Sequence, residues 1–428
     1  MRKSDVKKIT VADIVALAVT AAVCIIGIVG IIRYAALGNA AALITIIAVQ
    51  AAFICCCLAA WLGRCHILYV PVAAAGIVLY FFMNNAETTQ FNADLLIQGI
   101  IAAAGAVACT VLAVIKRVRP VKLAAIIMVP AVLIVAVYGI VWGASTAAAN
   151  GLTSAQTSIW SVPDKYEATD CPEQGSVEEL TYTTKAYATD GRTVEKRALV
   201  YLPYGYSEGR EYDILYLLHG TGDDEEYWLK TNSYNKDMLD NLIYYGEIEP
   251  MIVVTPTWYV EDDCKGNLDP LTYSFKDELR NDLMPAVEGR YSTYAQSCDD
   301  AGFAASRSHR AFAGLSRGAV TTLHSVLNGC LDWFSRFGTF SGSRTPVEYF
   351  EEYACSEEQK GLSIDYWYLA SGTFDFALSS QAEDYKAVLA IDSRLKEGEN
   401  TSFDVFPMRY HSMGNWHLAL YNFLIKAF

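Results

Sequence analysis

The residues best able to do chemistry lie in one short run, Gly314-Leu315-Ser316-Arg317-Gly318. A serine between glycines at this spacing suits a sharp strand-to-helix turn, where small flanking residues let the two elements approach and leave the hydroxyl exposed. A strand-like segment precedes Ser316, and 319–326 behind it looks like a helix opening. A serine hydroxyl is a weak nucleophile until a base takes its proton, and the base needs a carboxylate to orient it. Six histidines are available. His66 belongs to an apolar N-terminal region, and His219 follows an apolar run directly, which suits a structural place beneath a loop. His309 starts the strand of Ser316 at its wrong end, and His324 lies two helical turns beyond the serine. His411 and His417 remain. His411 falls in the loop after the strand-like 403–406 and is favoured, because catalytic groups of open α/β sheets sit beyond the carboxyl ends of strands. By the same argument Asp375, just past the strand-like 366–370, is the expected acid; Asp384, Asp392 and Asp404 are rivals on helix or strand.

Acyl chemistry also needs backbone donors aimed at the oxygen on which charge develops. One is expected from the N–H of Arg317, directly after the serine, and another from Thr221 in the loop His219-Gly220-Thr221-Gly222. Trp228, Trp258, Tyr259 and Trp416 fall in or near loops at the same edge, where aromatic rings stack on an acyl ring or a sugar, or simply fill the core. No spacing asks for a metal or a cofactor.

These groups need elements to position them. Alternating stretches at 180–187 and 197–202 suggest paired strands, and the apolar runs 213–218 and 251–255 suggest central strands buried on both faces. Helix-like stretches at 237–245, 276–291, 319–328 and 416–428 alternate with them, so an α/β architecture is expected, a mostly parallel sheet covered by helices.

The rest of the chain is of another kind. Residues 1–150 carry ten basic and four acidic groups, net +6, whereas 151–428 carry 23 and 43, net −20. The acidic surface excludes nucleic acid as a partner. Five apolar runs, about 11–32, 39–62, 66–83, 94–115 and 122–146, are long enough to span a bilayer as helices. Basic residues cluster before the first run, between the second and third, and between the fourth and fifth. The expectation is therefore an all-α, five-helix transmembrane domain over 1–146 in the plasma membrane, N-terminus cytoplasmic and acidic domain outside, with the lipid bilayer as a partner. Residues 147–175, rich in Ala, Ser and Thr, read as a linker, and 176–428 as the extracytoplasmic enzyme domain. That outer part holds Cys171, Cys264, Cys298, Cys330 and Cys355, an odd number that permits two bridges at most.

Taken together, Tyr216-Leu217-Leu218-His219-Gly220-Thr221-Gly222, Gly314-Leu315-Ser316-Arg317-Gly318, Gly372-Thr373-Phe374-Asp375, His411 with Trp416 five residues on, and the lead-in Val200-Tyr201-Leu202-Pro203 resemble the esterase D-type family. That family includes feruloyl esterases, acetyl xylan esterases, S-formylglutathione hydrolase and the mycobacterial mycolyltransferases. The resemblance covers about 176–428 and implies an α/β-hydrolase fold, with Ser316 as nucleophile, His411 as base, Asp375 as acid, and Thr221 with Arg317 as oxyanion donors. Three positions depart from the family pattern: Asp223 stands at the last glycine of the loop motif, Arg317 replaces a small residue or Met, and Arg409-Tyr410 replaces a glycine pair before the histidine. The expected activity is hydrolysis of carboxylic esters, with acylated carbohydrate as the substrate. Acyl transfer from a lipid or wall donor to a glycan is one alternative, and a catalytically silent membrane receptor or scaffold is another.

Overall fold

Apolar runs that do not alternate need cover on both faces, and the enzyme part of the chain is arranged to give it. The computed structural model describes residues 11–35, 40–62, 143–153, 161–260 and 266–428, with isolated positions between 68 and 102. The chain divides into two compact units, Met1–Ala148 with Thr373–Phe376 and Tyr410–Ser412, and Ala149–Gly372 with Ala377–Arg409 and Met413–Phe428.

The larger unit holds an eight-stranded sheet: β1 (Ser176–Lys185), β2 (Thr193–Leu202), β3 (Asp213–Leu218), β4 (Met251–Thr255), β5 (Arg310–Leu315), β6 (Arg336–Phe340), β7 (Tyr366–Gly372) and β8 (Thr401–Phe406). They lie in the order β1-β2-β4-β3-β5-β6-β7-β8. β1 and β2 form an antiparallel ribbon, β2 joins β4 antiparallel, and the other pairs are parallel. In β1, Leu180, Tyr182 and Thr184 face inward while their neighbours face solvent, so alternation is kept at the sheet edge. In β3 every residue after Asp213 is buried: Ile214, Tyr216 and Leu218 enter one core and Leu215 and Leu217 the other. Phe275, Leu279, Leu283, Leu323 and Tyr385 close the first core, and Leu239, Leu242, Leu420 and Leu424 close the second. This is the α/β-hydrolase-like architecture expected. β6 was not anticipated, because Arg336-Phe337-Gly338-Thr339-Phe340 is short and carries an arginine and a glycine; its register against β5 and β7 makes it a central strand.

Part of the expected linker is docked. Residues 143–152 are helical, and Thr153 Oγ1 accepts from the N–H of Val405 at 3.0 Å. Further on, Asn241 donates to the carbonyls of Tyr166 and Ala168, Tyr166 is buried, and the Gly175 N–H donates to Asp240 at 2.8 Å. Residues 154–160 lie outside the described set.

In the smaller unit two helices, α1 (Val11–Ala35) and α2 (Ala40–Leu62), occupy the first two apolar runs. Thr20 donates to the carbonyl of Cys57 at 3.0 Å, and the Tyr69 hydroxyl to that of Ala16 at 2.7 Å. The buried Gln50 and Gln98 amides bond each other reciprocally, so these interior polar groups are satisfied. Among the described residues no helix is long and apolar enough to cross a membrane. The expected spans 66–83, 94–115 and 122–146 lie largely outside the described residues. The multi-pass plasma-membrane placement, N-terminus cytoplasmic and catalytic domain outside, is corrected accordingly: no transmembrane helix is assigned among the described residues.

Cys171, Cys298, Cys330 and Cys355 are free thiols, and Cys264 lies outside the described residues. Burial pushes the Cys330 thiol up to about 12.

Candidate active site

β5 ends at Leu315 and a helix begins at Arg317, leaving Ser316 alone to turn the chain. Its backbone sits at φ 51°, ψ −115°, a conformation that side chains other than glycine rarely adopt and that costs ~1–3 kcal/mol. Its N–H donates to the Phe340 carbonyl of β6 at 2.8 Å, and its carbonyl accepts from Val320 at 3.1 Å, so the strain is held from both sides. The flanking glycines are sterically required. A Cβ on Gly314 would lie 2.5 Å from the Gly318 carbonyl carbon, and one on Gly318 would lie 2.6 Å from the carbonyl oxygens of both Leu218 and His219.

The loop after β3 lies against this turn. A Cβ on Gly220 would meet Leu315 Cδ1 at 2.7 Å and Ser316 Cβ at 3.2 Å. Gly222 takes φ +87°, and its N–H donates to the Tyr259 hydroxyl at 2.7 Å. Beneath the loop His219 bonds the Gly220 carbonyl through Nδ1 and the Thr257 hydroxyl through Nε2, both at 2.8 Å. A carbonyl only accepts, so the proton is on Nδ1, and Nε2 accepts from Thr257. Burial pushes His219 down to about 3, which keeps the ring neutral as this pattern requires. Asp223, the departure from glycine, lies over Gly220, and its carboxyl accepts from the Gly220 N–H; burial raises it to about 6.

Three of the four aromatic residues named at this edge, Trp228, Trp258 and Trp416, are buried. Trp228 and Trp258 are 0% and 1% exposed, and their indole N–H groups donate to the carbonyls of Leu218 and His219 at 3.1 and 3.2 Å. Tyr259 stacks on Trp258 with centroids 4.0 Å apart and on His219 at 5.6 Å. Trp416 is buried in the second core. The first three brace the loop from behind. Thr257 and Tyr259 are the positions whose part sequence reasoning missed, and the available signal was their place just past β4, the strand beside β3.

In the smaller unit Asp375 and His411 are brought together: Nδ1 of His411 lies 2.8 Å from Oδ1 of Asp375, and both side chains are buried. The Phe376 ring stacks on the imidazole at 4.1 Å. With Nδ1–H directed at the carboxylate, Nε2 is the unprotonated nitrogen of the neutral ring. Burial pushes His411 down to about 3, so the ring is neutral at ordinary pH. His417 is engaged elsewhere, with Nδ1 2.7 Å from the Asn235 amide oxygen and Nε2 3.4 Å from Glu167. The other acids have partners of their own: Asp384 holds the Ser343 hydroxyl, Asp392 pairs with Arg394 at 2.6 Å, and Asp404 with Lys426 at 2.9 Å. Ser316, Thr221 and Arg317 belong to the larger unit. The Arg317 guanidinium, immediately beyond the serine, pairs with Asp269. Among the described residues no group of three His, Cys, Asp or Glu side chains is placed to hold a metal.

An eight-stranded, mostly parallel sheet with a strained serine at the strand-to-helix turn of β5 defines a serine-esterase type of fold. The model of the Esterase family matches residues 193–420, more than half of the chain, and the chain belongs to that family. It is a carboxylic ester hydrolase. Endo-1,4-beta-xylanase Y of Acetivibrio thermocellus is 35% identical over 235 residues, 54% of this chain and 20% of that protein. An endo-1,4-beta-xylanase/feruloyl esterase of Xylanibacter ruminicola is 30% identical over 174 residues, 39% of this chain and 22% of that protein. The chain thus spans about a fifth of the length of these curated relatives. Among solved structures, the feruloyl esterase module from Clostridium thermocellum, a serine-to-alanine mutant complexed with sinapinate, is similar with a TM-score of 0.56 and 31% identity. That likeness covers 64% of this chain and 94% of the module.

Proposed function

We propose that the chain removes acyl groups, feruloyl or acetyl, from polysaccharide by a Ser316-His411-Asp375 triad housed in a domain of 176–428 that follows a segment at 147–175. The observation that carries this reading is the positive-φ backbone of Ser316 at the end of β5, a strained conformation of the kind that clusters at active sites. The Asp375–His411 pair supports it, since it leaves Nε2 of the imidazole as the accepting nitrogen. So do the relatives named for feruloyl esterase activity.

His411 Nε2 takes the Ser316 proton as Oγ adds to the ester carbonyl carbon. Negative charge collects on the carbonyl oxygen, where the backbone N–H groups of Thr221 and Arg317 receive it. Asp375 keeps the ring in the correct tautomer and stabilises the imidazolium. His411 returns the proton to the departing sugar oxygen as the carbon–oxygen bond breaks, leaving the acyl group on Ser316. Water, deprotonated by the same nitrogen, then releases the free acid and restores the serine.

The test is Ser316→Ala on the full chain, assayed with methyl ferulate and p-nitrophenyl acetate. The variant is expected to lose at least ~10⁴ in kcat, leaving only what the loop amides and binding supply. A variant that keeps even a tenth of the wild-type rate would overturn the nucleophile assignment.

A further inference from the structure

The loop after β6 is pinned closely to the nucleophile. A Cβ on Gly342 would lie 2.2 Å from the Ser316 carbonyl oxygen. Ser341 Oγ accepts from Asn415 at 2.9 Å, and the Ser343 hydroxyl donates to Asp384. In this loop both Ser341 and Arg344 have positive φ, 56° and 77°, and the Arg344 side chain is 58% exposed. Its guanidinium comes no closer than 3.6 Å to Asp269 Oδ1, an oxygen that Arg317 already holds in a close pair. One carboxylate thus faces two arginines, and the outer arginine keeps an open edge toward solvent.

Beside this cluster is a half-buried tyrosine. Tyr273 lies one helical turn beyond Asp269, at the other end of the short helix Asp269–Tyr273. Its ring stacks on His324 at 3.7 Å, and His324 stacks on Tyr349 at 4.1 Å. An exposed guanidinium and a tyrosine, both linked through Asp269 to the residue after the serine, match a saccharide that carries a carboxylate: the guanidinium can take the acid in bidentate fashion and the tyrosine can pack on the sugar.

We propose that Arg344, with Tyr273 beside it, forms a subsite for the carboxylate of a uronic acid on the glycan side of the ester, so that the enzyme prefers acyl groups on acidic saccharides over the same groups on neutral ones. The proposal rests on the esterase reading given above. The geometry makes Arg344 the specificity element, because Arg317 is neutralised by its pair with Asp269.

The experiment compares kcat/KM of the full chain on a feruloylated xylo-oligosaccharide with and without one glucuronic acid. The wild type is expected to favour the acidic substrate by about fivefold, as an exposed charge pair allows, with the preference shrinking as NaCl rises from 50 to 500 mM. Arg344→Gln is expected to bring the ratio close to one, and Arg344→Lys to restore part of it. As a readout independent of turnover, the Ser316→Ala protein is titrated with the unferuloylated acidic and neutral oligosaccharides; tighter binding of the acidic one, lost in Ser316→Ala/Arg344→Gln, is expected. Equal turnover of both substrates, or a preference untouched by Arg344→Gln, overturns this proposal and leaves the esterase reading standing. Failure to cleave either substrate, with equal binding of both oligosaccharides, overturns both.

Discussion

Replacing Tyr259 by Phe removes one oxygen and leaves the ring, so it separates a loop brace from a substrate contact. The phenol accepts from the Gly222 N–H at 2.7 Å, and its ring keeps its stacking on Trp258 and His219 in the variant. A single hydrogen bond of this kind contributes ~0.5–1.5 kcal/mol. Gly222 follows Thr221, whose N–H is the proposed donor to the oxyanion, and a donor of that type is worth ~2.7–4 kcal/mol in the transition state. Loosening the loop forfeits part of that, bounded below by the lost bond, so about 1.4 kcal/mol or a tenfold fall in kcat is expected. The contact is made only as the oxyanion forms, so KM stays put. The loss should also be the same for p-nitrophenyl acetate and methyl ferulate, because both place the same oxygen in the same hole. Steady-state kinetics on the two esters decide the matter. If Tyr259 instead touches substrate, KM rises for methyl ferulate alone while acetate turnover is unaffected, and that pattern would refute the bracing role.

Two further outcomes follow from buried charge. Arg310 and Glu288 form a pair whose side chains are 1% and 0% exposed, with Glu288 also held by Tyr216 and Thr293. Arg310→Met strands that carboxylate and is expected to cost ~3–5 kcal/mol in urea unfolding; an unchanged midpoint would show that the pair contributes little. Burial pushes His219 and His411 down to about 3 from the ordinary 6.5, so the unfolded chain binds protons that the folded one refuses. Their contribution to stability is therefore complete above pH 6.5 and is lost progressively as pH falls toward 3. The thermal midpoint should drop between pH 7 and pH 5, while the acid limb of kcat/KM should lie below pH 6.5; an acid limb at 7 or above would contradict the neutral His411.

What the sequence disclosed and what it withheld divide along physical lines. The turn at Ser316 was legible because the requirement is local: Gly314 and Gly318 must lack side chains for strand and helix to cross, and both lie within two residues of the serine. The places of Asp375 and His411 were legible because each follows a strand by a few residues, and strand ends are readable from apolar runs. β6 was hidden, since Arg336 and Gly338 break the run, and only its register against β5 and β7 shows why a short mixed segment is central. Apolar runs alone also suggested five membrane spans, whereas interior polar pairs such as Gln50 with Gln98 depend on residues far apart in the chain. For Trp228 and Trp258 the sequence could show size and rough position, but not that their N–H groups point at carbonyls at the end of β3.

The bracing aromatics follow from the glycines they stand behind. Gly220 can bear no side chain because Leu315 and Ser316 press on it, and Gly222 needs its left-handed backbone to turn the chain back. Two glycines within three residues make a loose loop, and a loose loop cannot hold an amide aimed at a transition-state charge without reorganising at the moment of reaction. The stiffness must therefore be imported. Trp228 and Trp258 fix the carbonyls on which the loop starts, His219 and Thr257 hold its floor, and Tyr259 holds its far end. Large rings suit the task because they are rigid, bury well, and carry a single polar atom to place. Aromatic side chains beside a serine turn invite assignment to substrate, yet here the loop's own glycines create a need that these rings meet.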